Sequence, residues 1–108
     1  MNRENFELLK TLVQQLEGKE DFDSASRTFC EILDERFDLG GVWFARKFSK
    51  RWHFIGGRKS RKGLPPVRID LFPNLALFVE DEEKIGKDRD FLLLLAKLFL
   101  YLFPAEQL

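Results

Sequence analysis

The segment from Phe91 to Phe103 is apolar apart from one charged side chain, Lys97. As a helix, it places apolar residues on every side, because successive side chains are about 100° apart around a helix axis. This helix has more apolar surface than a single packing layer of a small domain can cover. The segment therefore predicts a C-terminal helix that packs on the core with one face and needs cover for the other.

The two faces of this helix are predicted as follows. The core stripe is expected to contain Leu92, Leu95, Phe99, Leu102 and Phe103. The opposite face carries Leu93, Leu94, Leu100 and Tyr101 around Lys97. Because a contiguous exposed apolar patch usually marks an interface, we expect the second face to self-associate; the alternative is cover by another helix of the chain. No membrane span is expected, since crossing takes about 20 apolar residues and this run ends at Pro104.

Composition indicates one soluble domain with an aromatic core. The chain has 108 residues, of which 12 are Phe and 2 are Trp, and 33% are charged with a net charge of zero. A zero net charge gives no overall attraction to nucleic acid or membrane. The single cysteine, Cys30, excludes an internal disulfide and is expected to be a small buried hydrophobe. With no signal peptide after Met1, these features predict a cytoplasmic protein.

Helical periodicity covers the N-terminal third of the chain. Apolar residues recur at helical spacing over residues 4–17, and Gly18 stands where a helix stop belongs. A second helix is expected after a cap at Asp21 or Asp23 and is predicted to end near Gly40 and Gly41. The sequence thus predicts two consecutive amphipathic helices.

The period then changes to two, which indicates strands. Residues 42–48 and 52–55 form a predicted hairpin, a polar loop over residues 56–66 follows, and residues 67–71 and 75–79 form two further strands. The order is therefore α-α-β-β-β-β-α, an α+β fold with an antiparallel sheet of four or more strands and helices packed on it. Strands 42–48 and 75–79 are apolar on both faces, so we expect them to be central and the helices to reach more than one side.

Two stretches resemble parts of a GAF domain. Asp21-Phe-Asp-Ser-Ala-Ser and its helix, followed by Phe37-Asp-Leu-Gly-Gly-Val-Trp-Phe-Ala-Arg, are similar to the family's opening helix and first strand. Leu75–Val79, a polar turn and Asp88-Arg-Asp-Phe-Leu-Leu-Leu-Leu-Ala-Lys-Leu-Phe are similar to its last strand and closing helix. The resemblance covers most of residues 21–103 and rests on pattern and order. It implies one reduced GAF/PAS-like domain over residues 1–108, with residues 1–18 as an additional N-terminal helix.

The chain departs from that family where a ligand would bind. GAF domains that bind ligands build the pocket from helices and loops between the middle strands, and here only residues 56–66 stand in that place. No cofactor is expected, because the family's cofactor-binding Cys and His have no counterpart. If a ligand binds, we expect it against the sheet, at Trp43, Trp52, Phe54 and Gly57.

No pattern in the chain predicts an enzyme or a metal site. The sequence lacks a phosphate-binding glycine motif and a His or Cys cluster with metal spacing. The lone His53 has no assignable nucleophile or carboxylate partner, and residues 80–83 lack the ligand spacing of a calcium loop. We therefore expect a non-catalytic protein.

The resemblance implies a regulatory, sensory or dimerisation module of prokaryotic signalling that acts through packing of its terminal helices. Its expected partners are a second copy and an output domain or signalling protein. The predicted dimer interface consists of Leu9, Leu12, Leu16, Leu93, Leu94, Lys97, Leu100 and Tyr101, next to Leu8 and Val13. A scaffold subunit of the longin or roadblock kind is a weaker hypothesis, because its usual helix between strands two and three is absent from the predicted order.

A basic segment supports an alternative function. Between residues 46 and 62 there are eight basic side chains and no acidic one: Arg46, Lys47, Lys50, Arg51, Arg58, Lys59, Arg61 and Lys62. If they share one end of the sheet, they would attract a nucleic acid or another anionic partner, with aromatic neighbours to stack on bases. A solvated turn would explain the same charges, and so would a meeting of this loop with the acidic residues 80–83, or with their symmetry mate, across an interface.

Overall fold

The computed structural model describes residues 2–59 and 62–105 and has the α+β order predicted from the sequence. Its elements are α1 (Arg3–Leu16), α2 (Phe22–Phe37), β1 (Val42–Phe48), β2 (Arg51–Arg58), β3 (Val67–Phe72), β4 (Leu75–Val79) and α3 (Arg89–Leu102). Two short 3-10 turns, Glu82–Lys84 and Gly86–Asp88, lead into α3.

Side-chain caps fix where the first two helices begin. The Asn2 side chain accepts a hydrogen bond of 2.7 Å from the Asn5 amide, and the Asp21 carboxylate accepts one of 3.3 Å from the Ser24 amide. Each satisfies an amide that has no partner within its helix. Helix α2 ends at Asp38, whose left-handed backbone stops the helix one residue before the buried Leu39. Local chemistry therefore explains the start of both helices and the end of α2.

The four strands form one antiparallel sheet in the order β2-β1-β4-β3. Strands β1 and β4 are central, as their apolar character predicts. An irregularity between Phe44 and Ala45 inserts an extra residue in β2, since Phe44 pairs with Gly56 and Ala45 pairs with Phe54. Beyond this bulge, paired residues of β1 and β2 again lie on the same face of the sheet, so each strand contributes to an inner and an outer face.

The inner face of the sheet carries the core, and the three helices lie on this side. Phe44 of β1 stacks on Phe29 of α2 at 5.8 Å and on Phe99 of α3 at 5.3 Å, while Phe29 and Phe99 are 4.5 Å apart. Helix α1 packs on α2, where Arg36 and Glu4 form an ion pair of 3.0 Å. A stacked aromatic core between α2, α3 and β1 thus explains part of the abundance of phenylalanine.

The expectation that helices reach more than one side of the sheet is wrong. Among the described residues, no helix covers the outer face, whose central positions are filled by Trp43, Phe78, Ala45 and Ala76. The two alanines are buried, and the aromatic rings lie against each other. Apolar residues at outward positions therefore cover one another, which sequence alternation alone does not distinguish from cover by a helix.

The predicted loop starting at Gly56 is also wrong, because both Gly56 and Gly57 lie in β2. A Cβ atom at Gly56 would collide with the Ser26 hydroxyl of α2 and come within 2.8 Å of the Phe22 ring. Glycine is therefore needed in this strand because α2 packs directly onto its backbone. The strand extends to Arg58, three residues beyond its predicted end at Ile55.

Candidate functional site

A groove of about 1120 Å³ runs between α1 and α3. Its floor is formed by core rings of Phe22, Phe29 and Phe99. Its walls are apolar side chains of the two terminal helices: Leu9, Leu12, Val13 and Leu16 from α1, and Leu95, Leu98, Tyr101 and Leu102 from α3. The terminal helices thus share one side of the domain, with an apolar groove between them.

Several of these wall residues are exposed to solvent. The exposed fraction is 62% for Val13, 71% for Tyr101 and 74% for Leu102, and Leu98 is also exposed. Leu94, one turn before Leu98, continues the same exposed surface. Because a stable soluble domain rarely exposes so many adjacent large apolar side chains, this surface is a candidate interface. We call it the α1/α3 face.

The residues of the predicted dimer interface differ in how far they are buried. Leu12 and Leu100 are buried in the core, and Leu9, Leu16 and Leu93 are half-buried against it. Lys97 lies 5.4 Å over the Phe72 ring of β3, with Tyr101 against the same ring at 5.9 Å. Of the predicted set, Leu94 and Tyr101 are therefore the members with strongly exposed side chains.

Two residues of α3 lie on the opposite face of the helix from the one predicted. Leu102 was expected in the core but is exposed, whereas Leu100 was expected outside and is buried. Leu98 lies in the exposed stripe with Leu94 and Leu102, at intervals of four. The same interval relates Leu92, Ala96 and Leu100 on the buried side, so spacing does not identify the exposed stripe. In an all-apolar helix that stripe is indistinguishable by composition from the buried one.

A second uncovered surface is the outer face of the sheet. The rings of Trp43 and Phe78 stack at 5.7 Å, and Trp52 packs edge-on against Phe78 at 5.9 Å. The guanidinium of Arg68 lies 5.2 Å over the Trp52 ring and pairs with Asp70 at 2.9 Å. The rings form a contiguous aromatic cluster across β1, β2 and β4.

The predicted ligand residues Trp43, Trp52, Phe54 and Gly57 all fall on this outer face. They line an open surface, where Phe54 is 41% exposed and the two tryptophans are half-buried. A depression of about 330 Å³ lies beside Trp52, between Lys47, Arg68 and Phe72. The sequence therefore identified residues that come together, but as an exposed platform.

The basic segment divides between several places. The buried carboxylate of Asp34 is 3.8 Å from the Arg58 guanidinium, and Lys62 pairs with Asp38 at 3.3 Å and with Asp81 at 3.4 Å. These cations stabilise the fold. The remaining members separate further. Arg46 lies over the inner Phe48 ring, Lys50 is exposed in the turn between β1 and β2, and Arg51 is exposed on the edge strand β2. Lys47 lies on the outer face, Lys59 lies over Phe54, and Arg61 is outside the described residues.

This loop contacts the acidic stretch within the chain rather than across an interface between copies. Besides the ion pair between Lys62 and Asp81, the Leu64 amide donates a hydrogen bond of 2.6 Å to the Glu80 carboxylate. Residues 62–64 are thereby held against the end of β4. The acidic residues serve as structural acceptors for the loop.

The titratable groups of the inner side support a structural role. Cys30 is completely buried, and loss of hydration on burial raises the pKa of its thiol far above the ordinary value. Its thiol stays protonated near neutral pH, which agrees with the prediction of a buried hydrophobe. Asp34 accepts a hydrogen bond of 2.9 Å from the Gly40 amide, so it ties the end of α2 to the start of β1.

The described residues contain neither a metal-binding cluster nor a helix that could span a membrane. Within residues 2–59 and 62–105, no group of three His, Cys, Asp or Glu side chains is placed to hold a metal ion. No helix in that part of the chain is long and apolar enough to span a membrane.

Comparison of the chain with protein-family models, with curated protein sequences and with solved structures finds no match.

Proposed function

We propose that this protein is a non-catalytic dimerisation module of a regulatory system, and that two copies associate through the α1/α3 face. The observation that carries the proposal is the band of exposed apolar side chains beside the groove. It consists of Phe6 and Val13 on α1 and of Leu94, Leu98, Tyr101 and Leu102 on α3.

The exposed area is a large part of what a dimer needs. A free aromatic side chain presents about 150–250 Å² and a Val or Leu side chain less, and these six side chains are between 47% and 74% exposed, so together they present several hundred Å². A standard protein interface takes about 800 Å² from each partner. One such face from each copy therefore approaches a complete interface.

The charges on α1 favour a second copy as the partner. Lys10 and Glu17 are exposed and flank Val13 on the same side of the helix, three residues before it and four after it. If two α1 helices cross antiparallel near Val13, Lys10 of each copy lies opposite Glu17 of the other. A two-fold interface requires such self-complementarity.

The regulatory part of the proposal rests on the resemblance to GAF domains. In that family the terminal helices often form the dimer bundle, and here α1 and α3 carry the exposed surface. A signal would act by shifting the population between two packings of these helices, which an attached or associated output protein would detect. The groove between α1 and α3 gives the helices room for a second arrangement.

The test is the solution mass by light scattering over a concentration series. The wild-type chain is expected to be dimeric at high concentration, and the double variant Leu98→Lys, Leu102→Lys is expected to be a folded monomer. Each lost leucine contact should weaken association at least about tenfold. Leu100 is unsuitable for this purpose because it is buried, so a charge there would unfold the domain.

The matched control is Leu64→Lys, which places the same charge on an exposed leucine of the loop away from the groove. It should leave the mass unchanged. A charge exchange adds specificity: Lys10→Glu should weaken the dimer, and Lys10→Glu with Glu17→Lys should restore it. A wild-type chain that is monomeric at every concentration would contradict the proposal.

A further inference from the structure

The outer face of the sheet combines exposed aromatic rings with positive charge. Its aromatic part crosses three strands and consists of Trp43, Trp52, Phe54 and Phe78. None of the described helices lies on this side, where the Phe54 ring is 41% exposed and the Trp43, Trp52 and Phe78 rings are half-buried. A sheet usually hides such a cluster, so the arrangement calls for an occupant that contacts aromatic rings.

The cations of this face are placed beside the rings. Arg68 lies over Trp52 at 5.2 Å and Lys59 lies over Phe54 at 5.0 Å. Lys47 is the cross-strand neighbour of Trp52 on the same face. At the strand positions of this face the only carboxylate is Asp70, which pairs with Arg68. Although the whole chain is neutral, this face is therefore positively charged.

We propose that the outer face binds an unpaired nucleic-acid strand, with bases stacked on the exposed rings and phosphates held by Lys47, Lys59 and Arg68. Single-strand binders combine these two features, because every base has a flat face that stacks on an aromatic ring while the backbone follows a cationic surface. Arg68 and Lys59 now lie over the ring faces, so a base that takes the place of either cation on its ring brings its phosphate within that cation's reach.

The geometry favours a single strand over other occupants. A duplex hides the faces of its bases, so it would contact the cations but leave the rings unused. A protein partner with an apolar surface would bury Lys47 and Lys59 and offer them no opposite charge. This inference is independent of the proposed dimer, since the outer face and the α1/α3 face lie on opposite sides of the sheet.

The protein contains its own reporter for the test. Its only two tryptophans, Trp43 and Trp52, both lie on this face. The full chain is titrated with an oligothymidine of about 12 nucleotides, a length within the range of known single-strand sites. Tryptophan fluorescence and the anisotropy of a labelled oligonucleotide are followed together. We expect quenching, and an affinity that falls with salt with a logarithmic slope of about −2 for three neutralised phosphates.

Two matched pairs of variants locate the site. Lys47→Gln with Lys59→Gln should weaken binding at least about tenfold, whereas Lys84→Gln with Lys87→Gln removes the same charge from exposed turns before α3 and should have little effect. Trp52→Ala should weaken binding at least about fivefold and remove part of the salt-independent affinity. Circular dichroism checks that each variant is folded.

Three results would overturn the inference. One is the absence of binding at low salt; another is equal loss in both lysine pairs, which would mean non-specific attraction. The third is a duplex that binds as tightly as the single strand without quenching. A Trp52→Ala variant with altered solution mass would instead assign the face to a protein partner. The Leu98→Lys, Leu102→Lys variant keeps the outer face unchanged and should bind the oligonucleotide as the wild type does. Failure of the dimer proposal and failure of the nucleic-acid proposal can therefore be distinguished.

Discussion

The two faces of the sheet carry similar aromatic residues in opposite situations. On the inner face, the Phe44 ring is stacked between two helices and has no exposed surface. On the outer face, Phe78 is stacked by Trp43 and touched by Trp52, yet none of the described helices closes the layer. The same residue type thus serves stability on one face and is available for contact on the other. Burial by helices, more than composition, decides which role a ring has.

The largest expected difference between the faces comes from removing one ring on each. Phe44→Ala should lower the free energy of unfolding by about 3–5 kcal/mol, because it leaves a cavity between α2 and α3. Phe78→Ala should cost only about 1–2 kcal/mol, because its ring is partly in contact with water already. Urea unfolding of both variants measures this. Equal losses would show that the outer face is also a core.

A smaller difference is expected between two carboxylates. Asp34 is buried and accepts from the Gly40 amide next to Arg58, whereas Asp70 is exposed beside Arg68. Asp34→Ala should cost about 1–3 kcal/mol, since it leaves a buried amide without this acceptor. Asp70→Ala should change stability by less than about 1 kcal/mol. Thermal unfolding of both variants is the measurement, and a larger effect at Asp70 would contradict the distinction between the faces.

The smallest expected effect is a difference in the reactivity of a thiol on each face. Cys30 lies on the inner side of α2, against the backbone of β2, so its modification by a thiol reagent should be at least about a hundredfold slower in the folded chain than in denaturant. Phe54→Cys in a Cys30→Ala chain should react quickly. Above the ordinary thiol pKa of about 8.5, the unfolded chain releases the Cys30 proton and the folded chain retains it, so stability should fall as pH rises. Fast labelling of native Cys30 would show that α2 detaches readily.

Most of the secondary structure was predictable because its signals are local. The caps at Asp21 and the change of period after Gly41 lie within a few residues of the structure they determine, and β4 has the predicted bounds. The end of β2 was mispredicted because Gly56 and Gly57 normally indicate a loop. Here glycine is required by a long-range contact, the close approach of α2, which local sequence does not contain.

The candidate surfaces were only partly predictable. Trp43, Trp52 and Phe54 were correctly grouped, since strand alternation and hairpin register place them on one face. The basic segment was not one patch, because Arg58 and Lys62 are paired with acidic residues distant in sequence. Which of several cations is satisfied inside a fold depends on contacts that form only when the helices and strands come together.

The sequence alone determined the α+β class, the order of elements and the central position of β1 and β4, because these follow from periodicity and turn chemistry over short stretches. Only the tertiary structure decided which stripe of α3 is buried and that the helices leave one face of the sheet open. Helix α3 has apolar residues on all sides, so each orientation hides a similar amount of apolar surface. The fit of Phe99 against Phe29 and Phe44 selects one orientation, which leaves Leu98 and Leu102 exposed.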